Sequence, residues 1–179
     1  MKAREILSFW FDELRPEQWW RVDAALDAEI ARRFAAIHRA AVHSELWDWR
    51  EAPSGRLAEV IVLDQFSRNL FRGDARAFAA DPLALALAQE AIRIGADHAL
   101  PIAQRDFLYM PFMHSESLRV HEEALRLFSQ PGHEFQLGYE RRHRTILERF
   151  GRYPHRNRML GRTSTPEEAV FLKEPGSSF

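Results

Sequence analysis

Apolar residues recur every three or four positions along most of the chain, which is the spacing of one buried face of an α-helix. A first helix is predicted over residues 5–14, and a longer second helix begins near Asp23. The buried stripe of the second helix consists of Leu26, Ile30, Phe34, Ile37 and Ala41. No alternating strand pair with hairpin turn residues is visible in the sequence. We therefore predict an all-α fold of about seven or more helices.

Capping residues and helix breakers mark further boundaries. Asp81 precedes Pro82, which combines a cap acceptor with a proline tolerated in the first helical turn, and Gly95 is expected to end that helix. Its predicted buried stripe is Leu83, Leu87, Ala91 and Ile94. Pro111 is expected to end the preceding segment, and the next helix is predicted over residues 115–128.

Two signals define the last helices. Gly151 is the expected C-cap of a helix that ends near Phe150, and Thr165 with Glu168 forms a capping box around Pro166. No linker divides the chain, so we predict one domain over residues 1–179. Successive antiparallel helix hairpins favour either a compact bundle or a tetratricopeptide-like stack.

Residues 56–72 form the most apolar predicted helix, yet they carry charge. Apolar side chains cover nearly its whole circumference, so the helix should be central. The polar side chains on it are Asp64, Gln65, Arg68, Asn69 and Arg72. Asp64 and Arg68 stand four residues apart, the spacing of a helical ion pair. Because a buried charge without partners is costly, these groups either form an internal network or bind a ligand.

His114 and Glu116 lie at the start of a predicted helix. Glu116 gains from the helix dipole, and His114 heads an apolar stripe that continues through Leu118, His121 and Leu125, so it should face inward. Such a pair can act as a general base with its orienting carboxylate, or it can be a core histidine beside an ordinary first-turn acid. We interpret His121 as structural.

Metal and cofactor signatures are weak. The chain has 0 Cys, which removes thiolate metal sites and Cys nucleophiles. The His-Glu pairs at residues 121–122 and 133–134 lack the second histidine of a zinc protease helix, and Glu140 with His143 is a single Glu-x-x-His copy. No nucleotide-binding or serine hydrolase motif is found. We predict no metal and no cofactor.

Basic residues gather around the turn at residues 149–162. They are Arg149, Arg152, His155, Arg156, Arg158 and Arg162. The planar guanidinium group suits bidentate recognition of carboxylate or phosphate, although these arginines could equally face solvent or pair with acids of the same chain.

Composition limits the partners. The 25 Lys and Arg residues balance 26 Asp and Glu residues to a formal net charge of -1, so bulk charge does not favour nucleic acid or an anionic membrane. Neither a signal peptide nor a membrane span fits the apolar runs, and we expect a cytoplasmic protein. The sequence leaves the oligomeric state open.

Several separate motifs resemble one bacterial family. They are FWF, WW, LDQFSRNLFRG, AFAAD, FLYMPFMHSES, FGRYPHRN and LGRTSTPEE, spread from Ile6 to Leu172. Together they resemble the bacterial domain-of-unknown-function family 924. The resemblance implies a tetratricopeptide-like helical fold and no established activity, and it adds Asn157 to the candidate site residues.

These observations lead to one main hypothesis and two alternatives. The main hypothesis is a polar pocket that binds a small anionic ligand, either a phosphate or a carboxylate. Its binding residues would be Gln65, Arg68, Asn69, Arg72, Arg152, Arg156, Asn157 and Arg162. In the enzyme alternative, a hydrolase or transferase uses His114 as acid or base with Glu116 or Asp64 as the orienting carboxylate. The third hypothesis is a helical scaffold that binds a protein segment.

Overall fold

A computed structural model describes residues 2–178, and within that range the chain is helical and contains no strand. The α-helices are α1 (Ala3–Ser8), α2 (Ala24–Val42), α3 (Pro53–Ile61), α4 (Ser67–Leu70), α5 (Asp81–Arg93), α6 (Ile102–Met113), α7 (Leu118–Phe128), α8 (Glu134–Phe150) and α9 (Pro166–Phe171). Shorter 3₁₀ turns cover Pro16–Trp20, Trp47–Glu51, Ala75–Phe78, Ala96–Ala99 and Pro154–Arg156, and π-helical turns cover Phe9–Glu13 and Val62–Phe66. The predicted all-α class is confirmed, whereas the tetratricopeptide-like arrangement stays a prediction.

The chain divides into two compact units. The N-terminal unit contains residues 2–72 and 76–111, and the C-terminal unit contains residues 73–75 and 112–178. The single domain expected over residues 1–179 stays a prediction. None of the helices between residues 2 and 178 is both long enough and apolar enough to cross a lipid bilayer.

The N-terminal unit is built around a nearly continuous helical run, from α3 through the π-helical turn Val62–Phe66 to α4. Every residue from Leu57 to Phe66 is buried, so the central position predicted for this segment is confirmed. Phe66 packs against the rings of Phe9, Trp10 and Phe34. Buried apolar side chains therefore surround the polar groups of this segment, including Asp64 and Gln65.

Helix α2 follows its predicted pattern. Asp23 caps it, because one carboxylate oxygen accepts from the N–H groups of Ala25 and Leu26. Four residues of the expected stripe are buried, and Ile37 is half-buried. The spacing of apolar residues and the N-cap residue therefore both predicted the helix that the structure contains.

Helix α5 departs from the prediction in two ways. Its buried residues are Ala84, Ala88 and Ala91 rather than the leucines, and Ile94 is 48% exposed. Alanine at these positions permits close packing of α5 against α3, which the larger side chains would prevent. Asp81 is not the N-cap residue, a position that Ala80 takes; it is the first residue of α5, and its carboxylate binds Arg68.

Pro111 does not end α6 as expected. It lies inside the last turn, and the helix continues to Met113. The fixed φ of proline is compatible with a helix, and although proline removes one intrahelical hydrogen bond, α6 continues only as far as Met113. Helix α7 begins at Leu118, which is three residues later than predicted.

The C-terminal unit packs α7 against α8. Gly151 ends α8 in the left-handed conformation, at φ 69°, and the Thr165–Glu168 capping box opens α9, as predicted. A small core of Ile146, Leu147, Tyr153 and Phe171 lies between these elements, with Phe150 against it. Tyr153 is 0% exposed and anchors the polar groups described next.

Candidate functional site

The predicted site residues fall in both units, and each group forms its own contacts. Those in the N-terminal unit are Asp64, Gln65, Arg68, Asn69 and Arg72, and those in the C-terminal unit are His114, Glu116, Arg152, Arg156, Asn157 and Arg162.

In the N-terminal unit, Arg68 bridges two carboxylates. Its Nη1 lies 3.2 Å from Asp64 Oδ1, which confirms the ion pair predicted from the four-residue spacing. The guanidinium group also donates to both oxygens of Asp81, at 3.0 and 3.1 Å. Gln65 Nε2 donates to the other oxygen of Asp64 at 2.6 Å. Asp64 is 0% exposed, so this internal network keeps a buried charge satisfied.

Asn69 and Arg72 share a single acid, Asp27 on α2. Arg72 donates from Nε and Nη2 at 2.7 and 2.9 Å, and Asn69 Nδ2 donates at 2.8 Å. Burial alone would raise the pKa of Asp27, but the hydrogen bonds from Arg72 and Asn69 outweigh it and hold the pKa below its ordinary value. Sequence reasoning did not single out Asp27, which lies 45 residues before Arg72.

In the C-terminal unit, Arg162 holds Glu116. Its Nη1 and Nη2 donate to the two carboxylate oxygens at 2.7 and 2.8 Å, and the backbone N–H of Tyr153 donates to Oε1 at 2.7 Å. Although burial opposes it, these hydrogen bonds lower the pKa of Glu116. The carboxylate proposed to orient His114 is therefore ionised and engaged by Arg162.

Arg152 and Asn157 meet at Glu168, on the capping box of α9. Arg152 donates to both carboxylate oxygens at 2.7 and 2.8 Å, Asn157 Nδ2 donates at 3.2 Å, and the N–H of Thr165 donates at 2.7 Å. With Arg152 as the largest cause and against the effect of burial, the pKa of Glu168 falls to about 2.

The segment that carries His114 is held by its backbone carbonyls. Tyr153 Oη donates to the carbonyl oxygen of Met113 at 2.6 Å, and His121 Nε2 lies 2.9 Å from the carbonyl oxygen of Ser115. Tyr153 Oη is also 3.1 Å from His121 Nε2. The backbone on both sides of His114 is thus held at the carbonyls of Met113 and Ser115, by side chains from α7 and from the turn before Pro154.

Behind His121 lies Glu140 of α8. His121 Nδ1 is 2.6 Å from Glu140 Oε1, and both side chains are 0% exposed. Burial is the main reason that the pKa of Glu140 is raised, although His121 opposes the effect. From the sequence, His121 was interpreted as structural and Glu140 was considered only with His143, so the two residues were not paired. The signal that could have predicted this pair was a polar residue at an inward-facing position on each of two neighbouring helices.

Tyr153 is surrounded by basic side chains. The ring centroids of His121, His143 and His155 lie 6.5, 5.7 and 5.8 Å from that of Tyr153, and the Arg156 guanidinium group lies over its face at 4.9 Å. Arg156 is only 6% exposed. Burial is the main cause that lowers the pKa of His143 to about 3, and the nearby His114, His121 and His155 lower it further. We call Tyr153 and these basic side chains the Tyr153 cluster.

Across residues 2–178, no three His, Asp or Glu side chains are arranged to hold a metal ion. His143 Nδ1 is 2.8 Å from the carbonyl oxygen of Tyr139, an acceptor, so that nitrogen carries a hydrogen.

The fold and these networks define a class: an all-helical protein in which several arginines pair with carboxylates of the same chain, and in which three histidines lie around one buried tyrosine. The chain belongs to the family of bacterial proteins of unknown function known as DUF924, which matches residues 6–176. The resemblance seen in the sequence motifs is thereby confirmed.

One solved structure shows the same fold. It is a protein of unknown function from Agrobacterium tumefaciens, 43% identical to this chain, with a TM-score of 0.90 and 96% of each chain covered. None of the curated proteins matches this chain.

Proposed function

We propose that the C-terminal unit binds a small anionic ligand, a phosphate or a carboxylate, at the Tyr153 cluster. The observation that carries this proposal is the concentration of basic side chains around the buried ring of Tyr153: His121, His143, His155 and Arg156, with His114 close to His143. Positive charges on neighbouring side chains repel one another more strongly in a low-dielectric interior than in water, and this repulsion adds to burial in keeping His143 neutral. A bound anion would relieve that repulsion.

The neighbouring arginines have a supporting role in this proposal. Arg162 and Arg152 each form a bidentate pair with a carboxylate, and Arg162 Nε also donates to Asn157 Oδ1 at 2.9 Å. They therefore hold Glu116 and Glu168 in place and frame the cluster. Arg156, whose guanidinium stacks on Tyr153, is assigned the direct contact with the anion.

The test is binding of inorganic phosphate and of citrate, measured by thermal shift and by calorimetry at pH 6 and pH 8. We expect both anions to raise the melting temperature, and affinity to increase at the lower pH because imidazoles take up protons when an anion binds. Arg156→Ala should abolish the shift. Arg126→Ala, at an exposed arginine of the same unit that pairs with Glu123, is the matched control. An unchanged melting temperature with both anions, or equal binding by the two variants, would refute the proposal.

The other hypotheses from the sequence stay predictions. Acid–base catalysis by His114 now lacks its simplest partner, because Glu116 is engaged by Arg162. A ligand role for Gln65, Arg68, Asn69 and Arg72, a scaffold function and a cytoplasmic location likewise stay predictions.

A further inference from the structure

The positions of two hydrogens follow from the geometry around His121. A carbonyl oxygen only accepts, so His121 Nε2, 2.9 Å from the carbonyl of Ser115, carries a hydrogen. On the other side of the ring, Nδ1 lies 2.6 Å from Glu140 Oε1, so one hydrogen lies between these two atoms. It belongs either to an imidazolium facing a carboxylate or to a protonated carboxyl facing a neutral imidazole.

The second oxygen of Glu140 separates these two states. Glu140 Oε2 is buried and has no hydrogen-bond partner among the described residues. A carboxylate would place part of a full negative charge on that oxygen, whereas a protonated carboxyl leaves only a neutral carbonyl there, which is far cheaper to bury.

The charged and titratable groups that face the carboxyl do not reverse this preference. His121 on α7 and Arg144 on α8 favour the carboxylate, but burial outweighs both. Arg144 is itself committed to Glu148, with its Nε 2.8 Å from Oε1. His143, also on α8, stays neutral because its pKa is about 3, and Tyr153 faces the far side of the His121 ring.

We propose that Glu140 is a positioning residue that stays protonated at neutral pH and donates to His121 Nδ1. This hydrogen bond fixes the tautomer of His121 in which Nε2–H donates to the carbonyl of Ser115. Together with the Tyr153 hydroxyl on the carbonyl of Met113, it holds the backbone on both sides of His114. The link to ligand binding rests on the proposed function, whereas the protonation state and the ordering of the segment do not.

Two replacements of Glu140 distinguish a requirement for a hydrogen-bond donor to His121 Nδ1 from a requirement for a negative charge. In Glu140→Gln the amide N–H can make the same donation to Nδ1, so we expect an unchanged urea midpoint and phosphate affinity within about twofold of the parent protein. Glu140→Leu keeps the bulk but removes the donor. It should accelerate hydrogen exchange of the amides in residues 113–117 and weaken phosphate binding about tenfold, the value of one buried hydrogen bond.

Glu59 supplies the matched control. It is also 0% exposed, but Arg50 donates to both of its oxygens at 2.6 and 2.7 Å, so a guanidinium group holds the whole carboxyl group. Glu59→Gln should therefore lower the urea midpoint clearly, in contrast to Glu140→Gln. If Glu140→Gln lowers the midpoint as much, the protonated state is wrong.

Infrared spectroscopy detects the protonated carboxyl group of Glu140 directly, and the measurement needs no ligand. At pH 7 the parent protein should show the carbonyl band of a protonated carboxyl, and Glu140→Gln should lose it. Absence of that band refutes the proposal, as does unchanged hydrogen exchange in Glu140→Leu. If the band and the exchange behave as expected while phosphate binds to no variant, the inference about Glu140 stands and the proposed function fails.

Discussion

Replacing Glu168 with glutamine tests whether the carboxylates of the C-terminal unit hold their arginines for structural reasons. Glu168 is 2% exposed and accepts hydrogen bonds from Arg152, Asn157 and the N–H of Thr165. Glutamine preserves the side-chain shape and the capping box, since either residue serves at that position. It removes the negative charge that Arg152 binds.

The magnitude follows from the pKa of Glu168. That pKa falls from an ordinary 4.5 to about 2, and each unit corresponds to about 1.4 kcal/mol, so the ionised form contributes about 3 kcal/mol to folding. Because the folded-state pKa is depressed, this stability is present above pH 4.5 and is lost as the pH falls toward 2. Glu168→Gln should lose about 3 kcal/mol at pH 7 and lack this part of the acid dependence.

Urea unfolding followed by circular dichroism, at several pH values from 7 down to 2.5, measures both effects. The control is Glu167→Gln, because Glu167 is 61% exposed and its pair with Arg149 lies in solvent. That change should cost less than about 1 kcal/mol. The reasoning is refuted if Glu168→Gln is as stable as the control at pH 7, or if its stability falls with acid as steeply as that of the parent protein.

Three further predictions concern the N-terminal unit and α8. A Cβ atom at Gly55 would lie 1.9 Å from the carbonyl oxygen of Trp49, so Gly55→Ala should destabilise by about 3 kcal/mol in urea unfolding. Gly138→Ala, in open space within α8, should instead stabilise by about 0.5 to 1 kcal/mol, and a loss of stability would contradict this. Arg68→Ala leaves the Asp64 carboxylate without its guanidinium and should cost about 3 kcal/mol. A change below about 0.5 kcal/mol would show that Arg68 does not stabilise this carboxylate.

Part of the candidate site could be predicted from the spacing of residues within one helix. The Asp64–Arg68 pair was predictable because a helix places residues four apart on one face, and the structure confirms it. The burial of Asp64 on a central helix followed from the apolar residues around it. The N-cap predicted at Asp81 was wrong. The carboxylate of Asp81 instead accepts two hydrogen bonds from Arg68, a contact that local spacing did not predict.

The remaining site residues depend on contacts between distant parts of the chain. Glu116 and Arg162 are 46 residues apart, and His121 and Glu140 are 19 residues apart. Each residue alone has an ordinary structural interpretation, and its partner becomes apparent only when the helices are packed. The protonation expected for Glu140 is of the same kind, because it arises from burial that only the packed helices create.

The sequence by itself determined the helical class, the cap at Asp23, the left-handed end at Gly151 and the capping box at Thr165. These features depend on hydrogen bonds and sterics within about four residues, which the local sequence specifies. Only the tertiary structure decided which acid binds which arginine and how basic side chains gather at Tyr153. Those choices depend on which helix faces pack together, and desolvation there sets the charge of each group.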